Sequence, residues 1–368
     1  MNKTTIKTPP GVSNSQIRLL QRLCDAVAVS GDEKAVRSII KEQISSFADE
    51  LNVDAVGNLL AIRKGSGENR LRVMIAAHMD EVGVMLTNQE EDGIFRFEAV
   101  GGLDARWLAG KAVWVGSDQL PGVIGYKPIH LSSADEIQQA VTIGQLRIDI
   151  GQENGKRVKP GDWAVFATHF RRVGPSVFAK ALDDRLGVAT LIELFKHAPS
   201  NIDLLAAFTV QEEVGLKGAK VAAYAFDPDL AIVLDCTPAN DLPPWDRGSC
   251  VGENCSENTR YNTRLGSGPA IYIADRVTLS DPRLVRFLVK VANERNIPYQ
   301  FRQPGGGGTD AGAIHKQRAG IPSVSISVPG RYLHTPISMI RLEDWKNSLA
   351  LVHAALENLT PEIFSVER

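Results

Sequence analysis

Arg72-Val73-Met74-Ile75-Ala76-Ala77 runs directly into His78-Met79-Asp80-Glu81. A short apolar run of this kind is the pattern of a strand buried on both faces, as in a parallel sheet. The pattern returns at 203–210, 230–234, 270–274 and 323–328. Helical spacing lies between and around these runs. Ile17, Leu20 and Cys24 step by three and four, with Gly31 ending the run. Asp32 is placed to cap a second helix with Val36, Ile39, Ile40 and Ile44 on its apolar stripe. A helix is predicted over 185–196. Another runs from a cap at Ser280 through Leu284, Phe287, Leu288 and Val291 to Asn296, and a last one carries Leu342, Trp345, Leu349, Val352 and Leu356. Residues 51–53 and 59–61 flank Gly57-Asn58 as a hairpin. Buried strands alternating with helices predict an α/β fold, three layers (αβα) around a mostly parallel sheet.

The stretch 84–173 reads differently. Short alternating runs such as Phe95-Arg96-Phe97, Ala112-Val113-Trp114-Val115 and 146–150 are cut by Gly and Pro, and only 133–140 suggests a short helix. This predicts a small all-β, barrel-like domain inserted into an α/β domain formed by 1–83 and 174–368, with 1–12 as an arm.

The 368 residues carry 41 Lys+Arg against 43 Asp+Glu, a formal net charge of -2. That balance argues against a broad nucleic-acid footprint, which needs a basic excess on one face. No run approaches a membrane span, and the first residues lack the pattern of a secretory signal. Four cysteines in a chain this long are no disulfide framework, so a cytoplasmic protein with reduced thiols is expected. Cys250 and Cys255 resemble half of a zinc clip, but no second pair nearby completes it.

Five places of chemical interest fall at or just after predicted strand ends, where ligands of open α/β sheets sit. They are His78 with Asp80 two residues on, Asp183-Asp184 at a helix start, Glu212-Glu213 after 203–210, Asp235 after 230–234, and His334 between Pro329 and Pro336. Each alone has an ordinary structural reading: a core histidine, helix-start acids, a solvated loop, a turn cap. Together they supply two histidines and several carboxylates, a donor mix suited to zinc and neighbouring first-row metals. One carboxylate can bridge two ions, and two ions can jointly activate water and polarise a carbonyl.

The wording around these residues resembles the tetrahedral aminopeptidases, a family of dinuclear metallopeptidases also known as glutamyl or deblocking aminopeptidases and as "cellulase M". The matching stretches are AAHMDEVG (Ala76 to Gly83), ALDDRLG (Ala181 to Gly187), QEEVGLKGA (Gln211 to Ala219), GGGTDAGAIH (Gly306 to His315) and RYLHTP (Arg331 to Pro336). The resemblance spans nearly the whole chain, the β insertion included. It implies a metal-dependent aminopeptidase acting on short peptides with two divalent ions per subunit, zinc first, with cobalt, manganese or magnesium as alternatives. His78 and Asp235 would hold one ion, Glu213 and His334 the other, and Asp183 would bridge. Glu212 would be the general base and Asp80 the partner of His78, while Thr309 and Asp310 would shape the floor of the site. The resemblance further implies a cis Asp183-Asp184 peptide, and an insertion that makes dimers, six of which close into a hollow dodecamer with the sites inside.

One region departs from the family pattern. The stretch 238–264, with Pro243-Pro244-Trp245, Cys250 and Cys255, is longer than usual before the turn Leu265-Gly266-Ser267-Gly268-Pro269. It bears on side-chain preference more than on the metal site. Two other functions compete. A glycoside hydrolase needs two carboxylates flanking a sugar bond and leaves His78 and His334 unexplained. A non-catalytic assembly protein would be natural if a ligand or the base were missing, and none is.

Overall fold

The computed structural model describes residues 10–242, 263–302, 307–365 and 367–368. Cys250, Cys255, Pro243-Pro244-Trp245 and most of the predicted arm lie outside them. At the centre are four parallel strands in the order Ile202–Thr209, Leu71–His78, Leu230–Pro238, Ser323–Arg331. Antiparallel strands extend both sides. Leu59–Arg63 and Glu50–Val53 form the expected hairpin on one flank; Ser338–Arg341, Ser176–Ala179 and Arg171–Val173 follow on the other. The parallel part is therefore the core of a larger mixed sheet.

Period-two alternation fixes what each face buries. Val73, Ile75 and Ala77 of the His78 strand face one layer, with Leu20, Leu186, Leu191, Trp345 and Leu349 from the helices Asn14–Asp25, Leu182–Lys196 and Leu342–Asn358. Met74 and Ala76 face the other, against Ala219, Ala222 and Ile314 of Lys217–Phe226 and Ala311–Ile314. These are the three expected layers.

Some boundaries differ from the sequence reading. The first helix begins at Asn14, because Ser13 and Gln16 form a reciprocal capping box there, and it stops at Asp25. Asp32 does not cap the second helix, Lys34–Ile44. Glu33 precedes that helix and accepts from the Gly31 N–H instead. Asp281, not Ser280, caps Pro282–Glu294, its side chain accepting from the Arg283 N–H, with Pro282 in the first turn, where its missing N–H is harmless.

The insertion is a closed six-stranded barrel with its own core, including Leu86, Phe95, Val115, Ile124 and Ile148. Its strands begin with Gly83–Glu91 and end with Trp163–Phe166. Arg171–Val173, inside the predicted 84–173 stretch, pairs with Ser176–Ala179 and so belongs to the large sheet. The short helix there is Ala134–Gln138. Among the described residues no helix is long and apolar enough to cross a membrane.

Candidate active site

The parallel strands deliver their chemistry to one edge of the sheet. His78 ends its strand in register with Thr209. On the other side Val233 pairs with Ala76, a register that carries Asp235 to the level of His78. Asp235 does not end its strand as expected. Pairing with the neighbouring strand continues to Pro238, so the carboxylate is held by a ladder on its flank. Glu212 and Glu213 lie beyond the end of the preceding strand, on a turn. The strand stops at Thr209, Gln211 takes a left-handed φ of 57°, and a tight turn leads into Lys217–Phe226. Asp80 holds that turn, its two oxygens accepting from the Glu212 N–H at 3.1 Å and the Glu213 N–H at 3.2 Å. Ser30 donates its hydroxyl to Asp80 at 2.6 Å. His334 lies on the loop after Ser323–Arg331, also left-handed at φ 57°. The Asp183-Asp184 peptide is cis.

These elements bring the sequence-predicted residues together. His78 Nε2 is 3.2 Å from Asp183 Oδ1 and 4.0 Å from Asp235 Oδ1. His334 Nε2 is 3.5 Å from Asp183 Oδ2 and 3.3 Å from Glu213 Oε2. Asp183 thus turns one oxygen to each histidine. Ligand atoms around a tetrahedral ion with bonds of ~2.0–2.1 Å sit roughly 3.3 Å apart, close to most of these spacings. His78 Nδ1 faces Asp80 Oδ1 at 3.5 Å. Thr309 lines the cavity, its hydroxyl 2.7 Å from Ser325 Oγ, and Asp310 accepts from Thr209 Oγ1 at 2.6 Å.

The electrostatics call for cations. Burial, then neighbouring carboxylates, pushes the Glu212 and Asp235 carboxyls well above their usual range, and burial lifts Glu213 to about 7 and Asp310 to about 6. Burial would lower both histidines, but facing carboxylates outweigh it: His334 is pulled up to about 10 and His78 well above its ordinary value. Hydrogen bonds to the two histidines hold Asp183 low against its burial. Crowded buried acids sharing two imidazoles fit a site for divalent ions. Cys236 also approaches Asp183 and Asp184; its buried thiol is pushed well up and donates to Leu182 O.

A cavity of about 410 Å³ opens onto this cluster, lined by His78, Asp183, Glu212, Asp235 and His334 together with Tyr272, Arg302 and Leu333. Arg302 was not singled out in the sequence. It lies 5.8 Å from the Tyr272 ring centre and donates to Thr237 Oγ1 at 3.1 Å. A single Arg before a Gly-rich loop gave no motif to find it by. Ser30 and Gly102, which bonds to His334, carried no local signal either.

Residues 57–351 match the family model of the M42 glutamyl aminopeptidases. The chain belongs to that family. It is an aminopeptidase, a hydrolase of the exopeptidase kind. It is 37% identical to a putative aminopeptidase of Acetivibrio thermocellus, over 92% of this chain and 97% of the relative. Among solved structures, an aminopeptidase from the archaeon Desulfurococcus kamchatkensis matches with a TM-score of 0.88 and 36% identity, covering 96% of this chain and 98% of that one. The Pyrococcus horikoshii TET1 peptidase, which can assemble into a tetrahedron or a large octahedral shell, matches with a TM-score of 0.80 and 34% identity, over 94% of this chain and 100% of that one. The M42 match includes the barrel, which falls within the matched residues.

Proposed function

We propose that this M42 aminopeptidase trims N-terminal residues from short peptides with two divalent ions held between its histidines. The observation that carries this is Asp183, whose two oxygens face His78 at 3.2 Å and His334 at 3.5 Å. His78 and Asp235 would hold one ion, Glu213 and His334 the other, and Asp183 both. Zinc suits this nitrogen and oxygen donor set best. Bound there, the pair supplies Lewis-acid activation of water and of the scissile carbonyl.

The chain's own residues do the rest. Glu212 lines the cavity with a carboxyl raised well above its usual range by burial, which suits a base that takes a proton from the attacking water and returns it to the leaving amine. Asp80 accepts from the Glu212 and Glu213 N–H groups and lies 3.5 Å from His78 Nδ1, so one carboxylate would align a ligand and the base together. We further assign the insertion, about 84–173, to assembly, with dimers building a dodecamer, and place the protein in the cytoplasm. The assembling TET1 relative and the free, buried Cys24 and Cys236 support these assignments.

The test is a panel of aminoacyl-anilides and a soluble glucan, each with and without chelator. Anilide hydrolysis that chelation abolishes and metal restores is expected, with the glucan untouched. Chelator-insensitive turnover would overturn the metal reading.

A further inference from the structure

The two histidines are held by different parts of the molecule. The His78 side chain is 3% exposed and ends a central strand, whereas that of His334 is 40% exposed on a loop. The ring of His334 is oriented from outside the catalytic domain. Its Nδ1 lies 3.1 Å from the carbonyl oxygen of Gly102, just past the barrel strand Ile94–Val100. A carbonyl only accepts, so Nδ1 carries a proton toward Gly102; Nε2, which faces Asp183 and Glu213, is then the nitrogen that gives up its proton to offer a lone pair to an ion.

The loop leaves no spare room. A Cβ on Gly102 would stand 3.1 Å from His334 Nδ1. A Cβ on Gly101, at φ +87°, would stand 3.3 Å from the Glu213 Cβ and 2.8 Å from Val82. Two consecutive barrel glycines therefore sit against both residues that define the second half of the centre.

We propose that Gly102 is a positioning residue for His334, and that ion occupancy of the His334–Glu213 half depends on this loop of the inserted barrel. The inference rests on the two-ion reading above. Partners that orient a metal-ligating histidine typically carry 10–100-fold in metal affinity.

The experiment is a zinc titration of the metal-free full-length protein against a competing chelator, for wild type, Gly102→Ala, His334→Ala and the double variant. Gly144→Ala, a barrel glycine whose Cβ would meet nothing within 4 Å, is the control. Gly102→Ala should weaken one of the two ions by about 10–100-fold and leave the other, and the melting temperature of the metal-free protein, unchanged. The double variant should bind no more weakly than His334→Ala alone, since the Gly102→Ala methyl acts only by crowding the ring that His334→Ala removes. Equal weakening of both ions, additive effects, or a loss that tracks a fall in metal-free stability would overturn the assignment. Wild type binding fewer than two ions would instead defeat the underlying two-ion reading. A zinc-loaded wild-type crystal needs no variant: His334 Nε2 should face the ion with Nδ1 on Gly102 O, and a reversed ring would refute the proposal.

Discussion

The two histidines of the site differ in burial and in what holds them, His78 with a side chain 3% exposed and His334 with one 40% exposed. Behind His78 lies a buried charge network. Glu81 accepts from Lys180 Nζ at 2.8 Å through both oxygens and from Arg185 at 3.1 Å, and Arg185 also donates to the carbonyls of Leu23, Met79 and Asp80. That network fixes the backbone on which His78 and Asp80 sit. His334 has a left-handed loop and one carbonyl lent by the barrel. The first half is held by the catalytic core alone, and the second takes one further hydrogen bond from the barrel. The ion at the His334 half should therefore leave first.

Asp183 faces both histidines. Asp183→Ala should remove both ions and give the lowest turnover of any variant here, measured by metal analysis beside anilide hydrolysis. A variant that still holds two ions would mean the halves are independent. Glu212→Gln keeps the shape but cannot take the proton. Turnover should fall about 10²–10⁴-fold with both ions retained. Loss of an ion there would exchange the roles of Glu212 and Glu213.

Stability should separate the halves next. Glu81→Ala leaves Lys180 and Arg185 buried without their carboxylate, which costs about 3–5 kcal/mol in chemical denaturation. His334→Ala, on its half-exposed loop, should shift that midpoint by less than Glu81→Ala does. Equal costs would erase the distinction. The smallest effect is on pH. In the metal-free protein His334 is pulled up to about 10 and His78 well above its ordinary value, so both rings are protonated near neutrality. Ions must displace those protons, and apparent zinc affinity should climb as pH rises between about 6 and 8. A flat profile would contradict the ligand set.

The sequence made the His78 half legible because strand periodicity and ligand chemistry coincide there: an apolar run ends on a histidine and the chain must present it at the sheet edge. Glu212, Glu213 and Asp235 were found by the same rule, although the local reasons differed. A left-handed turn pinned by Asp80, rather than pleat, sets the glutamates, and Asp235 sits inside a longer strand. Helix starts at Asn14 and Pro282 moved because capping is decided by which side chain reaches a free N–H. Gly102 and Arg302 stayed hidden for another reason. Gly102 acts through its backbone, across 232 residues of sequence, and Arg302 reaches the cavity from a three-residue strand. Neither kind of contact leaves a local pattern.

The most direct test of the account is anomalous scattering from crystals of the zinc-loaded protein. It predicts two ions per chain, both touching Asp183, one also held by His78 and Asp235 and the other by Glu213 and His334. A single ion, or ions that do not share Asp183, would contradict it.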